Sequence, residues 1–202
     1  LVARTDLPGA RLLRSLGIVP LCMPPVLLAM TWTVLWQGLR GAPASILVMG
    51  LSTFPLVAIF TARAFERIDG RLEDAARTAG GTYAVLRADF GLVLPAVLCG
   101  GCLTFLFTVN EFGVPDYVGF VGPKFNVYAA EVFLSWNVTQ SAGGPVVSAL
   151  PLIVLALIAL LPALALRRRG SLASLGAGFR PPEKIELGLF RIPAFFLSLI
   201  HI

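Results

Sequence analysis

Residues 73–95, EDAARTAGGTYAVLRADFGLVLP, are the one long charged run set between two apolar blocks, and their reading decides the fold. The first half has the spacing of a short amphipathic helix. Ile68, Leu72, Ala75, Ala76 and Ala79 recur at three- and four-residue intervals and make one apolar stripe. Glu73 and Arg77 stand four apart on the polar side, acid first, the favourable order for a helical ion pair. Asp69 is placed to cap the N-terminus, and Gly80-Gly81 to stop the helix through a left-handed turn. So short a helix is not stable alone, and its stripe is expected to dock on something.

Working outward, the flanking blocks are membrane spans. Of the 202 residues 57% are hydrophobic and 13% charged, against roughly a quarter charged in a soluble domain. Four stretches, residues 15–38, 44–65, 92–112 and 144–166, are each about long enough to cross a hydrocarbon core of about 30 Å. The expected fold class is therefore all-α, a polytopic transmembrane helical bundle with about four full spans. Pro20, Pro24 and Pro25 in the first span and Pro55 in the second predict kinks, and Trp32 and Trp36 suit an interfacial belt. Residues 66–91 form the charged loop between spans two and three, and residues 110–143 a longer, mostly polar stretch. Residues 170–191, with Pro181-Pro182 and several Gly and Ser, have the composition of a linker. The apolar stretch 192–202 is too short to cross a bilayer. It is either a truncated span or a tail foreign to the protein.

Charge placement orients the spans. With the Glu73 loop in the cytoplasm and the four spans alternating, the inner segments hold fourteen of the sixteen Lys and Arg residues, and the outer loops only Arg40 and Lys124. The positive-inside rule favours this topology. The net charge of +5 does not indicate nucleic acid, because the basic residues alternate with long apolar spans. The sequence has no zinc-ligand spacing, P-loop, dinucleotide fingerprint or nucleophile elbow.

Asp74-Ala75-Ala76, three residues, Gly80, and a run ending Leu92-Val93-Leu94-Pro95 resemble the "EAA" signature of importer-type ABC permeases. Asp74 stands in place of the signature Glu, with Glu73 beside it, and eleven residues separate Gly80 from Leu92 where the family pattern has nine. The resemblance implies a cytoplasmic coupling helix seated in a groove of an ATP-hydrolysing subunit. It assigns that contact to Glu73, Asp74, Ala75, Ala76, Arg77, Gly80, Leu94 and Pro95. LVARTDLPGARLL at residues 1–13 and NEFGVPDYVG at residues 110–119 further resemble ferric-iron permeases, with phosphonate and polyamine permeases similar in the second element. On this resemblance residues 1–169 are a permease domain of the bacterial inner membrane, one half of a longer permease. Its implied partners are an ATP-binding subunit at the 66–91 loop, an extracytoplasmic substrate-binding protein, a second permease half or copy, and lipid. The chain itself would do no covalent chemistry and hold no cofactor, ATP being bound by the partner subunit.

Asn110 and Glu111, at the outer end of the third span, are the candidates for a substrate path, since an ionisable residue at membrane depth is a functional candidate. The alternative is a hydrated loop acid. Cys99 and Cys102 flank Gly100-Gly101 within a span, where small residues let helices approach, so packing is expected there rather than redox or metal chemistry. Cys22 reads as a core thiol. Two other functional classes make different demands on the sequence. A membrane-embedded enzyme needs an intramembrane Asp, Glu or His constellation, yet spans one, two and four contain none of these. A secondary transporter needs charged or broken helices at the midplane.

Overall fold

A computed structural model of the chain describes residues 3–139, 143–167 and 179–200. These residues are helical apart from short connections and one isolated parallel bridge between Thr5 and Ile185. Three helices are long and apolar enough to cross a membrane: α4 (Gly41–Glu66), α5 (Gly70–Asn110) and α8 (Gly143–Arg167). A fourth span is possible by length and composition if a bent pair is counted as one. The chain is an all-α polytopic membrane protein, as its composition requires.

The first expected span is not one straight helix. It is divided into α1 (Ala10–Leu16), α2 (Val19–Cys22) and α3 (Pro25–Leu35), with a bend of 98° at the break before α3. Pro25 has no N–H to donate, and residue 24, itself a proline, is driven out of the α region by the ring that follows. Pro24 accordingly has ψ 127°, and α3 starts with Pro25 at its first turn. Cys22, at the end of α2, is exposed rather than in a core.

The mostly polar 110–143 stretch is itself largely helical beyond the end of α5. It holds α6 (Gly113–Phe120) and α7 (Tyr128–Thr139). Val114, Pro115 and Val118 share one face of α6 and are buried, a spacing obscured in the sequence by the intervening Asp116 and Tyr117.

The residues fall into two compact units. The first is drawn from Leu1–Val19, Pro55–Gly101 and Pro162–Ile202, the second from Pro20–Phe54 and Cys102–Leu161. Among the described residues twelve Lys and Arg lie in the first unit, and Arg40 and Lys124 lie in the second.

The core of the second unit joins Ala29, Leu39, Ala44, Val48, Met49, Val114 and Val118. Here α3 packs on α6, with Val26 against Gly113 and the Thr33 and Tyr117 hydroxyls 3.2 Å apart. A Cβ on Gly122 would lie 2.6 Å from Arg40 Cβ, so the turn after α6 closes on the start of α4 only without a side chain.

In the first unit α4 and α5 meet at Gly100, where an added Cβ would lie 2.7 Å from Val57 Cα. The segment expected as linker and tail is tied to the N-terminal residues. Ile185 donates its N–H to Arg4 O at 2.7 Å, and α9 (Arg191–Ile200) buries Ala194 against Leu7 and Leu13. Residues 168–178 and 201–202 lie outside the described residues.

Candidate functional site

The segment that opens the sequence reading begins α5. Asp69 Oδ1 accepts the Arg71 N–H at 3.0 Å, which satisfies one of the orphan donors of the first turn. Helical geometry then fails at Gly80 (φ −166°, ψ 24°) and Gly81 (φ 65°, ψ −156°) and resumes to Asn110. α5 is thus two legs, 70–79 and 82–110, joined at a two-glycine break. The conformation that demands glycine sits at Gly81, since a φ near 180° is open to any residue. At Gly80 the constraint is space instead, with Ala84 Cβ 3.0 Å from an added Cβ.

The two acids beside each other on the first leg face different partners. Glu73 is 5% exposed, and its Oε1 lies 2.5 Å from Arg4 Nη2. It is not the solvent-facing member of a pair with Arg77 that the four-residue spacing predicted. Burial beside an N-terminal cation replaces the local ion pair. Arg4 also approaches Asp89 Oδ2 of the second leg at 3.6 Å and lies over the Phe65 ring at 5.8 Å. Arg4 Nη1 and Asp89 Oδ1 are buried and have no hydrogen-bond partner among the described residues, so the cluster is incompletely satisfied. Asp74 is exposed and pairs with Arg180 Nη1 at 3.2 Å, while the Arg180 carbonyl accepts the Gly70 N–H at 2.9 Å.

With Glu73 and Asp74 paired to Arg4 and Arg180, the first leg turns the rest of its apolar stripe outward, although Ile68, expected in that stripe, is buried. Leu72 is 50% exposed, Ala75 and Ala79 are exposed, and Ala76 is half-buried. The stripe continues past the break with Tyr83 and Leu86, both exposed. Leu94 and Pro95 do not join this surface. They lie half-buried on the second leg, Pro95 about 20 Å along the helix from Gly81 at 1.5 Å per residue.

The other candidates lie in the second unit. Glu111 lines an open cavity of about 580 Å³ with Ser45, Thr108 and Tyr128 as its other polar groups and Leu152 and Leu155 on its apolar wall. Its Oε1 also accepts the Val114 N–H at 3.1 Å, which caps α6. Tyr128 donates to Ser148 O at 2.8 Å and so bridges α7 to α8. Asn110 is not brought to this cavity. Its amide folds back on its own helix and donates to Leu106 O at 2.8 Å.

Arg4, Asp89 and Arg180 are the participants that sequence reasoning missed. Arg4 lies 69 residues from Glu73, and Arg180 lies 106 from Asp74. No periodicity links such positions, and the sequence signal was only that both terminal segments are basic, with Arg4 one of three Arg in residues 1–14.

No family model matches the chain, and no solved structure matches it. Curated proteins do. It is 31% identical to the molybdenum transport system permease protein ModB of Escherichia coli K12, over 56% of this chain and 57% of that protein. It is 31% identical to ModB of Mycobacterium tuberculosis H37Rv, over 74% of this chain and 63% of that protein. It is 28% identical to a probable molybdenum ABC transporter permease protein of Haloferax volcanii, over 55% and 46%. The chain thus spans less than two thirds of these relatives. The likeness supports an importer-type ABC permease, and with the long apolar helices it makes the chain a multi-pass protein of the cytoplasmic membrane. The expected tie to the ferric-iron group is not confirmed, since these relatives carry molybdenum in their names.

Proposed function

We propose that this chain is the membrane-spanning part of an ATP-driven importer, in which segment 70–79 takes the push of an ATP-binding subunit and the cavity beside Glu111 lies on the substrate path. The observation that carries the reading is the exposed stripe Leu72, Ala75 and Ala79 on a short helix whose opposite, acidic face is already held by Arg4 and Arg180. A helix-in-groove contact needs such a stripe of small and aliphatic residues, and here it stands at the head of a long apolar helix. A substrate-binding protein on the outer face and a second permease half or copy would complete the transporter. Movement of the helix would then alternate access to a path between the halves.

The substrate we infer is molybdenum, on the strength of the relatives' names. Ferric iron is the second reading, favoured by one observation: the charged side chain at the cavity is a carboxylate, which suits a cation better than an anion.

The test uses the complete permease with its ATPase and binding protein in vesicles. Ala75→Asp puts a charge on the stripe without touching Arg4 or Arg180. It is expected to leave the permease in the membrane, to lower ATPase co-purification and to reduce uptake at least tenfold. Normal ATPase binding and uptake would remove segment 70–79 from the coupling role. Accumulation of labelled iron in place of molybdenum would decide the substrate against the first reading.

A further inference from the structure

The two legs of α5 meet at a pair of glycines, and two glycines do not by themselves fix an angle. Gly81 meets nothing within 4 Å at its Cβ position, and its positive φ is the one conformational restriction at the break. A helix hinged on so permissive a joint transmits force only if something else sets its direction.

One side chain touches both legs. Arg4 lies 2.5 Å from Glu73 on the first leg and 3.6 Å from Asp89 on the second, the three side chains being 12%, 6% and 11% exposed. The carboxylates belong to opposite sides of the break. With no cation between them, two acids this close would repel in a setting of low dielectric. A planar guanidinium presents several N–H donors in a rigid fork and can engage two carboxylates at once, which an ammonium on a flexible stem does poorly. Arg4 is itself fixed. Its carbonyl accepts the Ile185 N–H at 2.7 Å, Thr5 bridges Ile185, and the guanidinium lies over Phe65 at the end of α4.

We propose that Arg4 is the positioning residue of the hinge: by holding Glu73 and Asp89 across the Gly80-Gly81 break it sets the direction in which segment 70–79 projects. Its consequence for transport rests on the coupling role proposed above, but the angle itself does not. Arg4 acts as a strut between the legs and takes no part in contact with the ATP-binding subunit.

The experiment places spin labels at Arg71 and Phe90, one exposed residue on each leg, in the complete permease. Arg4→Met is made alone and together with Glu73→Gln and Asp89→Asn. The triple variant strands no buried charge and keeps the fold where the single change fails to. In the triple variant the inter-label distance distribution is expected to widen at least twofold. ATP hydrolysed per substrate imported is expected to rise severalfold while the ATPase subunit still co-purifies. Arg4→Lys, which keeps the charge without the fork, is expected to narrow the distribution part of the way back. An unchanged, narrow distribution in the triple variant overturns the proposal. Should the distribution widen while the ATPase binds not even the parent permease, the hinge assignment stands and the coupling reading falls.

Discussion

Gly81 and Glu111 carry the sharpest consequences of single side chains. At Gly81 the combination φ 65°, ψ −156° is open to glycine alone, and occupying it with another residue costs about 1–3 kcal/mol. Gly81→Val is therefore expected to lower the thermal midpoint of the detergent-solubilised permease by several degrees. Gly80→Ala needs only Ala84 to give way and is expected to lower it less. Equal effects from the two changes would contradict the assignment of the strained position. Glu111→Gln keeps the size of the side chain and an acceptor for the Val114 N–H, so α6 should stay capped. If the carboxylate faces the substrate path, transport falls at unchanged abundance in the membrane, and unaltered uptake would return Glu111 to the role of a cap. The sequence revealed that a helix stops at Gly80-Gly81, because two adjacent glycines are a strong stop signal. It did not reveal which of the two adopts the positive φ, since a Gly-Gly pair is the same residue twice. Nor did it reveal that Glu73 is buried, because the partner that makes burial tolerable lies 69 residues away along the chain. Loss of one partner from such a buried pair costs about 3–5 kcal/mol, far above the few tenths for the exposed Glu73–Arg77 pair that the spacing suggested.

Among elements, the docking of α9 on the N-terminal residues is the contact most open to titration. Asp6 accepts from the Leu187 N–H at 3.0 Å and pairs with the Arg191 guanidinium. The Arg191 hydrogen bond, then the Leu187 N–H, hold its carboxyl below the ordinary carboxylate range. A carboxyl whose folded pKa is lowered favours the docked form above its ordinary pKa of about 3.9 and loses that contribution as pH falls through the lowered value. Protection of the Leu187 amide, its exchange rate relative to an unstructured amide at the same pH, is thus expected to hold from pH 7 to about pH 4 and to fall below it. In Asp6→Asn the protection should be lower at neutral pH and lose this acid dependence; a parent protein with the protection already lost at pH 5 would refute the pairing. This docking was not legible in the sequence, where residues 192–202 read only as a short apolar stretch. Its helix is short and one-sided, and what makes it a packed element is Ala194 meeting Leu7 and Leu13. The long helices were legible because a span of some twenty apolar residues is a statement about length and composition alone. α6 and α7 were not, being helices of 8 and 12 residues with mixed faces.

For the molecule as a whole, the orientation proposed for the spans rests on the fourteen-to-two division of basic residues. Asn126 and Thr82 are both exposed and stand on opposite sides of that division. In right-side-out vesicles, a cysteine at Asn126 is expected to react with an impermeant thiol reagent and one at Thr82 only after the membrane is opened. The reverse pattern would invert the topology and remove segment 70–79 from the reach of any cytoplasmic subunit. Helices α4 and α8 differ in how they meet their surroundings. Of the most apolar stretch of each, 39% is buried within the chain in α4 and 6% in α8. The described residues of the chain thus leave nearly all of this stretch of α8 uncovered.

The second leg of α5 has one further property, which follows from its length. Residues 82–110 make a helix of about 43 Å at 1.5 Å per residue, against a hydrocarbon thickness of about 30 Å. In the proposed orientation the surplus of about 13 Å matches residues 82–91, which carry Arg87 and Asp89. They form a stalk that holds the glycine joint clear of the membrane. Because the apolar part of the helix adjusts to mismatch by tilting, a thinner bilayer lays the stalk over and a thicker one stands it upright. The height and slant at which segment 70–79 would meet the ATP-binding subunit proposed for it therefore depend on the acyl-chain length of the surrounding lipid.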